Sequence, residues 1–211
     1  MYLKGGSIME CRTHERREWI VAHYNVKPLI HVRLVDGTVF QGDAGRELSY
    51  SCVIFCCEDK AKKEQTLIKC GRKAAAYFCK LLNIKMPRIF NPLKEDLRTA
   101  NTKGKKSGND CEKWEPSKRK LADVLYLFLY RYKIEDSNHT AFKILSHLEK
   151  NKHRYPKVSE MKMVNTLLKG YNTTARDLVE YLEMNNKIRE FDFHIFAETL
   201  ERYDIEQYFE K

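Results

Sequence analysis

The stretch LSYSCVIFCCEDKAKKEQTLIKCGRKAAAYFCKLL, residues 48–82, carries the pattern that decides the fold of the first part of the chain. Residues 48–57 are rich in β-branched and aromatic side chains, which favours a strand, and residues 66–70 favour a second strand after a charged turn. Gly71 then interrupts the pattern. Residues 72–82 place apolar side chains at helical spacing, so the stretch predicts a strand, a turn, a second strand and an amphipathic helix.

The preceding residues extend this arrangement. An irregular apolar stripe over residues 9–25 predicts a helix. Residues 29–42, LIHVRLVDGTVFQG, predict a β-hairpin, because alternating strands flank Asp36-Gly37 and both turn positions tolerate positive φ. We therefore expect residues 1–87 to form a small α+β domain in which an antiparallel sheet packs against helices.

The second part of the chain has a helical pattern. Residues 88–116 are basic and include a stretch without apolar periodicity, which predicts a flexible linker. From residue 117 to residue 211 the apolar spacing is helical and predicts a five-helix domain. Thr174 and Asp177 have the spacing of a capping box at the start of one of these helices. The expected fold class is α+β: a small antiparallel sheet with helices, followed by an all-α domain.

The positive charge is distributed unevenly along the chain. Residues 1–87 contain 15 basic and 9 acidic side chains, a net charge of +6. Residues 88–122 carry +5, whereas residues 123–211 carry −1. This asymmetry indicates a polyanionic partner for the first 122 residues, although lysine-rich surfaces also occur simply because they keep a protein soluble.

Two predicted helices begin with basic residues. The N-terminus of a helix is already positive, so cations in its first turn are unfavourable unless an anion binds there. Such turns follow Gly71 and Ser117, small residues that allow a phosphate to approach the backbone. Tyr77 and Trp114 are candidates for stacking on bases. The predicted nucleic-acid-binding residues are Lys60, Lys62, Lys63, Lys69, Arg72, Lys73, Lys103, Lys105, Lys106, Lys118, Arg119 and Lys120.

The seven cysteines allow two interpretations. Cys52, Cys56, Cys70 and Cys79 would form a zinc site if the strands and the helix brought them together. However, no Cys-x-x-Cys pair occurs, and small apolar side chains lining a core account for the same spacing. We expect reduced thiols packed in the interior, with no metal and no cofactor.

A short motif suggests an enzymatic alternative. The sequence REFDFH, Arg189–His194, resembles the Arg-x4–6-His spacing of the all-helical ribonuclease family called HEPN. In that family an arginine and a histidine from paired subunits cleave RNA, so the resemblance implies those roles for Arg189 and His194. Residues 170–211, which include the motif, carry a net charge of −5, a sign that repels RNA.

The hypothesis that these patterns favour is a non-enzymatic nucleic-acid-binding accessory protein, of bacterial or phage type. It would bind the phosphates of DNA or RNA through its basic N-terminal domain and linker, while the helical domain recruits a protein partner or forms a homodimer. The first alternative is an adaptor or inhibitor that binds a protein partner. The second is the HEPN-like ribonuclease. The sequence has no apolar run of membrane-spanning length and no signal-peptide pattern, so we expect a cytoplasmic protein with no membrane partner.

Overall fold

A computed structural model describes residues 9–35, 38–94, 114–134 and 136–210 of the chain. The fold is α+β, as the sequence predicts: antiparallel strands and two helices come first, and a helical region follows. The chain divides into two compact units. The N-terminal unit extends to Asn91 and also includes the segment Ile134–His139, whereas the helical unit contains Pro92–Lys133 and Thr140–Lys211.

The N-terminal unit contains two antiparallel sheets. The larger sheet has the order β1-β4-β5, and the smaller consists of β2 and β3. The strands are β1 (Tyr24–Arg33), β2 (Phe40–Gly42), β3 (Arg46–Leu48), β4 (Ser51–Asp59) and β5 (Gln65–Cys70). Strands β4 and β5 and the turn between them agree with the pattern of residues 48–70, because alternation and turn residues are local properties.

The predicted hairpin over residues 29–42 does not form as expected. β1 begins earlier, at Tyr24, and pairs with β4 rather than with the segment that follows it. Phe40–Gly42 pairs with Arg46–Leu48 instead. The expected turn residues, Asp36 and Gly37, lie outside the described residues. Pairing with β4 gives β1 a long ladder of nine residue pairs, and this ladder decides which side chains meet at each end of the sheet.

Two helices cover one face of the larger sheet. They are α1 (His14–His23), capped by the Thr13 side chain, and α2 (Arg72–Leu81). The core between helices and sheet contains Val53, Phe55 and Phe78, all fully buried. The rings of Phe55 and Phe78 lie 5.2 Å apart and tilt against each other, a favourable aromatic arrangement. This packing fixes α2 along the sheet, with its first turn next to the end of β5.

The described part of the helical unit contains five helices. They are α3 (Pro116–Tyr132), α4 (Thr140–Lys150), α5 (Val158–Gly170), α6 (Ala175–Glu183) and α7 (His194–Glu201). The capping box predicted at Thr174 and Asp177 is present at the start of α6. The apolar stripes of these helices are buried against one another, as amphipathic spacing requires.

The predicted linker, residues 88–116, is described only at its two ends. The Phe90 N–H donates to the His31 carbonyl of β1, and the Phe90 carbonyl accepts the Arg33 N–H. Leu93 forms an antiparallel bridge with Ile188. Glu115 donates its backbone N–H to the carbonyl of Lys152. The described ends of the predicted linker are therefore ordered parts of the two units.

Candidate nucleic-acid interface

One end of the larger sheet gathers cationic side chains that are scattered in the sequence. The register pairs His31 with Val53 and Val53 with Cys70, so these three residues form one cross-strand row. Arg33 pairs with Ser51 in the same β1–β4 ladder, two positions further along β1. Because α2 begins two residues after Cys70, its first turn lies at this same end of the sheet.

Four cationic residues therefore lie at this end, which we call the basic end of the sheet: Arg33, Arg72, Lys73 and Arg88. Arg72 and Lys73 are exposed in the first turn of α2. Arg88 is exposed and lies between Pro87, whose carbonyl hydrogen-bonds to His31, and Phe90, which pairs with β1. Cationic side chains gathered in this way favour a positive potential that attracts a polyanion.

Among the described residues, the N-terminus of α2 has no side-chain cap. Gly71 is the N-cap residue, and the first turn contains no acidic side chain. The first backbone N–H groups of a helix have no partner within the helix, so they offer donors to an anion. Arg72 and Lys73 add two positive charges at a position that the helix macrodipole already disfavours. An anion would relieve this repulsion.

Gly71 has a packing role that the sequence did not suggest. A Cβ atom on Gly71 would lie 3.2 Å from Cδ2 of Leu48, closer than most such contacts. The absence of a side chain at this position is therefore explained by the close approach of Leu48. The first turn of α2 remains accessible through its exposed residues, and Gly71 contributes the uncapped backbone.

Tyr50 provides an exposed aromatic side chain at the basic end. The guanidinium carbon of Arg33 lies 3.5 Å from the centroid of the Tyr50 ring. Arg33 Nη1 and the backbone N–H of Leu34 both donate hydrogen bonds to the Tyr50 carbonyl, at 2.5 Å and 2.9 Å. The sequence pattern predicted neither Arg33 nor Tyr50 as a binding residue, because the predicted hairpin gave β1 a different partner strand.

The predicted lysines of the β4–β5 turn lie at the opposite end of the sheet. Tyr24 pairs with Asp59 at that end. β5 connects this turn to α2, and at about 3.3 Å per residue it separates the turn from the first turn of α2 by about 17 Å. Lys60 donates hydrogen bonds from Nζ to the carbonyls of Val21 and Ala22, so it caps the C-terminus of α1. Lys60 is therefore committed to a structural contact.

The other two lysines of this turn remain on the surface. Lys62 is exposed, and Lys63 lies 3.7 Å from a carboxylate oxygen of Glu58. The sequence placed these lysines in one patch with Arg72 and Lys73, but the length of β5 separates them from the first turn of α2. Reversing the charges of Lys62 and Lys63 is therefore a control for the same change at the basic end.

The remaining predicted lysines before α3 are one residue of β5 and three residues of the predicted linker. Lys69 pairs with Ile54 in the ladder and lies on the face of the sheet opposite to Val53 and Cys70. Its Nζ is 5.9 Å from the centroid of the Phe40 ring. Lys103, Lys105 and Lys106 lie outside the described residues.

The first turn of α3 does not form the second anion site that the sequence predicts. The helix begins at Pro116 and its cap is Glu115, whose carboxylate accepts the backbone N–H of Lys118 at 2.7 Å. Lys118 is fully buried and pairs with Glu160. A carboxylate thus already occupies the position of an anion, and Lys118 has no surface with which to contact a phosphate.

The other two basic residues of α3 differ in their surroundings. Lys120 Nζ lies 2.6 Å from a carboxylate oxygen of Asp192, and both side chains are partly exposed. Arg119 is exposed. Of the three residues predicted in this turn, one is buried and one is paired within the helical unit. The contacts of Glu115 and Lys118 therefore argue against an anion site at α3, whereas anion binding at α2 stays a prediction.

His31 lies beneath the basic end and is almost completely buried. Its Nδ1 is 3.0 Å from the Pro87 carbonyl oxygen, so this nitrogen carries the proton that forms the hydrogen bond. Its Nε2 has no hydrogen-bond partner among the described residues and no contact with solvent. Burial lowers the pKa of His31, and the nearby charge of Arg72 lowers it further, while the bond to Pro87 acts in the opposite direction. The neutral ring is therefore favoured.

The four candidate zinc-ligand cysteines do not converge. Cys52 and Cys56 alternate with Val53 and Phe55 along β4, so they lie on the face opposite to the helix-covered core. Cys70 and Cys79 belong to that core. Burial raises the pKa of the Cys52 thiol to about 12. These thiols are buried or half-buried, as the core-packing interpretation expects.

The two residues of the HEPN-like motif have structural neighbours in the helical unit. Arg189 Nη2 lies 2.6 Å from Oδ2 of the buried Asp123, and its guanidinium carbon is 4.1 Å from the centroid of the Phe191 ring. His194 is exposed at the start of α7. These contacts give Arg189 a packing role, and the ribonuclease hypothesis stays a prediction.

One group of potential metal ligands occurs among the described residues. Ligand atoms of Asp192, His194 and Glu210 lie within 4.8 Å of one another. Both carboxylates already have cationic neighbours, since Lys120 pairs with Asp192 and Arg176 Nη2 lies 3.4 Å from Glu210. Glu210 also accepts the backbone N–H of Phe193. These contacts account for the group as an ion-pair network.

No protein-family model matches the chain, and no similar curated protein or solved structure was found. Within the described residues, none of the helices combines the length and the apolar character that crossing a bilayer requires.

Proposed function

We propose that the protein binds nucleic acid, and that the basic end of the sheet is where the phosphates bind. One observation supports this proposal above the others: Arg33, Arg72, Lys73 and Arg88 lie at the end of the sheet where the uncapped first turn of α2 begins. Cationic side chains and free backbone N–H groups together form the chemistry that recognises phosphate.

The proposed binding is mainly electrostatic. Each phosphate that a Lys or Arg neutralises releases condensed counterions, so affinity falls as the salt concentration rises. Contacts of this kind carry no sequence information, and we therefore expect little sequence preference from the phosphate contacts alone. The proposed interface is smaller than the sequence suggested, because the β4–β5 turn and the first turn of α3 are no longer part of it.

The experiment compares two charge reversals at opposite ends of the sheet. Binding of fluorescein-labelled oligonucleotides of about 12 nucleotides is followed by fluorescence anisotropy between about 50 and 200 mM salt, the range over which phosphate contacts weaken measurably. We expect R72E/K73E to weaken binding by about tenfold or more and to make the salt dependence shallower by about one unit of slope per lost contact.

The control variant K62E/K63E makes the same change of charge at the β4–β5 turn. Since this turn lies at the opposite end of the sheet, we expect its effect to be much smaller. Equal effects of the two variants would show that only the overall charge matters and would contradict the proposed location. The absence of binding by the wild-type protein at the lowest salt concentration would refute the function itself.

The adaptor hypothesis concerns the helical unit. Met184 and Tyr203 are its most exposed large apolar or aromatic side chains among the described residues, at 68% and 60%. Single exposed side chains of this kind are common on protein surfaces. A protein-binding role for this unit stays a prediction.

A further inference from the structure

We infer that the preferred ligand of the basic end is single-stranded nucleic acid, with one unpaired base stacked on the free face of the Tyr50 ring. This inference rests on the proposed function, because it names the class of nucleic acid that the same site takes. Tyr50 is 64% exposed, the highest exposure of any large apolar or aromatic side chain described in the N-terminal unit.

The backbone of Tyr50 is anchored, and one face of its ring is covered. Its carbonyl accepts hydrogen bonds from the Leu34 N–H and from Arg33 Nη1, and the Arg33 guanidinium lies against its ring. A guanidinium that covers one face of a ring while the residue stays 64% exposed leaves the other face to solvent. A tyrosine side chain has only two χ angles, so it loses little conformational entropy when a ligand stacks on it.

The other aromatic side chains near the surface of this unit are engaged by their neighbours. Trp19 contacts Arg16 and stacks on His23, which precede and follow it on the same helix. Tyr77, which the sequence suggested as a stacking residue, stacks on His14 and donates its hydroxyl to Glu18. Tyr50 differs from both because the side chain against its ring is Arg33, one of the cations of the basic end.

The combination of an exposed ring and a cationic surface explains the preference for single strands. A base in a duplex is stacked and paired, so its faces are not available to a side chain, whereas an unpaired base can stack on an aromatic ring. Every base has a π-face, so such stacking tolerates many sequences. Arg33, whose guanidinium lies against the Tyr50 ring, can contact the backbone of the same strand.

The test separates bases from phosphates. Anisotropy titrations compare a single-stranded DNA of about 12 nucleotides with an abasic strand that has the same number of phosphates, with single-stranded RNA of the same sequence, and with the DNA duplex. We expect the wild-type protein to bind the base-containing strands about 5- to 100-fold more tightly than the abasic strand. The RNA arm shows whether DNA and RNA are accepted equally.

Three variants test whether the Tyr50 ring causes the preference for base-containing strands. We expect Y50A to remove the preference for base-containing over abasic strands, and Y50F to retain this preference. Y203A removes a similarly exposed tyrosine of the helical unit, 60% exposed, and should change nothing. Circular dichroism confirms that each variant is folded.

Two outcomes would overturn the inference. If the wild type and Y50A bind base-containing, abasic and duplex ligands alike, the stacking role is wrong while the phosphate-binding function stands. If no ligand binds at low salt, the proposed function fails and the inference fails with it.

Discussion

Lys118 and Glu160 form an ion pair in the interior of the helical unit, where the Lys118 side chain is completely inaccessible to solvent and that of Glu160 is 3% exposed. Glu160 also accepts the backbone N–H of Lys157 at 2.7 Å, which caps α5, and lies 3.2 Å from His147 Nε2. The pair links α3 to α5. A residue that the sequence assigned to phosphate binding is thus part of the core.

Removing one partner of this pair should destabilise the protein strongly. Because K118M leaves a buried carboxylate without its main counter-charge, we expect a loss of about 3–5 kcal/mol in the free energy of unfolding. Urea unfolding followed by circular dichroism measures this change.

Two further variants test the reason for the loss. The double variant K118M/E160Q should recover much of the stability, because glutamine is neutral and still accepts the Lys157 N–H. The variant K120M breaks a solvent-exposed pair on the same helix and should cost about 1 kcal/mol or less. A wild-type stability of K118M would contradict the importance of the buried pair.

His31 should make the N-terminal unit less stable in mild acid. Burial lowers its pKa in the folded protein, so the unfolded chain binds more protons than the folded one just below the ordinary histidine pKa of about 6.5. The stability is present above this pH and is lost as the pH falls from about 6.5 towards the folded pKa. The midpoint of urea unfolding measured at several pH values between about 5 and 7.5 tests this expectation.

The variant H31Q has no titrating group at this position and should remove that part of the pH dependence. H14Q replaces an exposed histidine of the same unit and should retain it. If H31Q follows the same pH profile as the wild type, the acid sensitivity does not originate at His31.

Glu149 should have the opposite pH dependence. Burial raises its pKa to about 7, with a smaller opposing effect from Lys152, so the folded state binds more protons than the unfolded state between pH values of about 4.3 and 7. Stability is therefore lost as the pH rises through this window. We expect E149Q to be more stable than the wild type at pH values near 8, by about 1–3 kcal/mol, and to show no gain at a pH of about 4. A constant difference at all pH values would indicate a packing effect instead.

The capping box of α6 should contribute measurably to stability. The Thr174 hydroxyl accepts the N–H of Asp177 at 3.0 Å, and the Asp177 carboxylate accepts the N–H of Thr174 at 2.7 Å. We expect T174A to cost about 0.5–2 kcal/mol in the free energy of unfolding, whereas T174S, which keeps the hydroxyl, should cost much less. Equal losses in the two variants would mean that the methyl group of Thr174, and not its hydroxyl, stabilises the helix start.

The burial of Lys118, which the sequence prediction missed, could have been inferred from the helical spacing. Lys118 stands three positions before Leu121 and seven before Leu125, both of which are fully buried. The helical period therefore continues the apolar stripe of α3 back to Lys118. The charge of the residue concealed its position on the stripe, since lysine is rarely buried without a partner.

Local sequence patterns were enough to predict strands β4 and β5, the start of α2 after Gly71, the helical character of the second part of the chain and the capping box at Thr174. These depend on alternation, helical period and caps, which involve residues close together in the chain. They are also the features that establish the α+β class.

The contacts among α2, β1 and the segment after α2 depend on long-range strand pairing, which local patterns do not specify. β1 pairs with β4, about 25 residues away in the chain. The local sequence of a strand shows that it is a strand, but it does not identify the strand with which it pairs. This pairing brings Arg33 and Tyr50 together and puts them at the end of the sheet where α2 begins. The length of β5 then separates the lysines of the β4–β5 turn from Arg72 and Lys73, which the sequence alone had grouped into one surface.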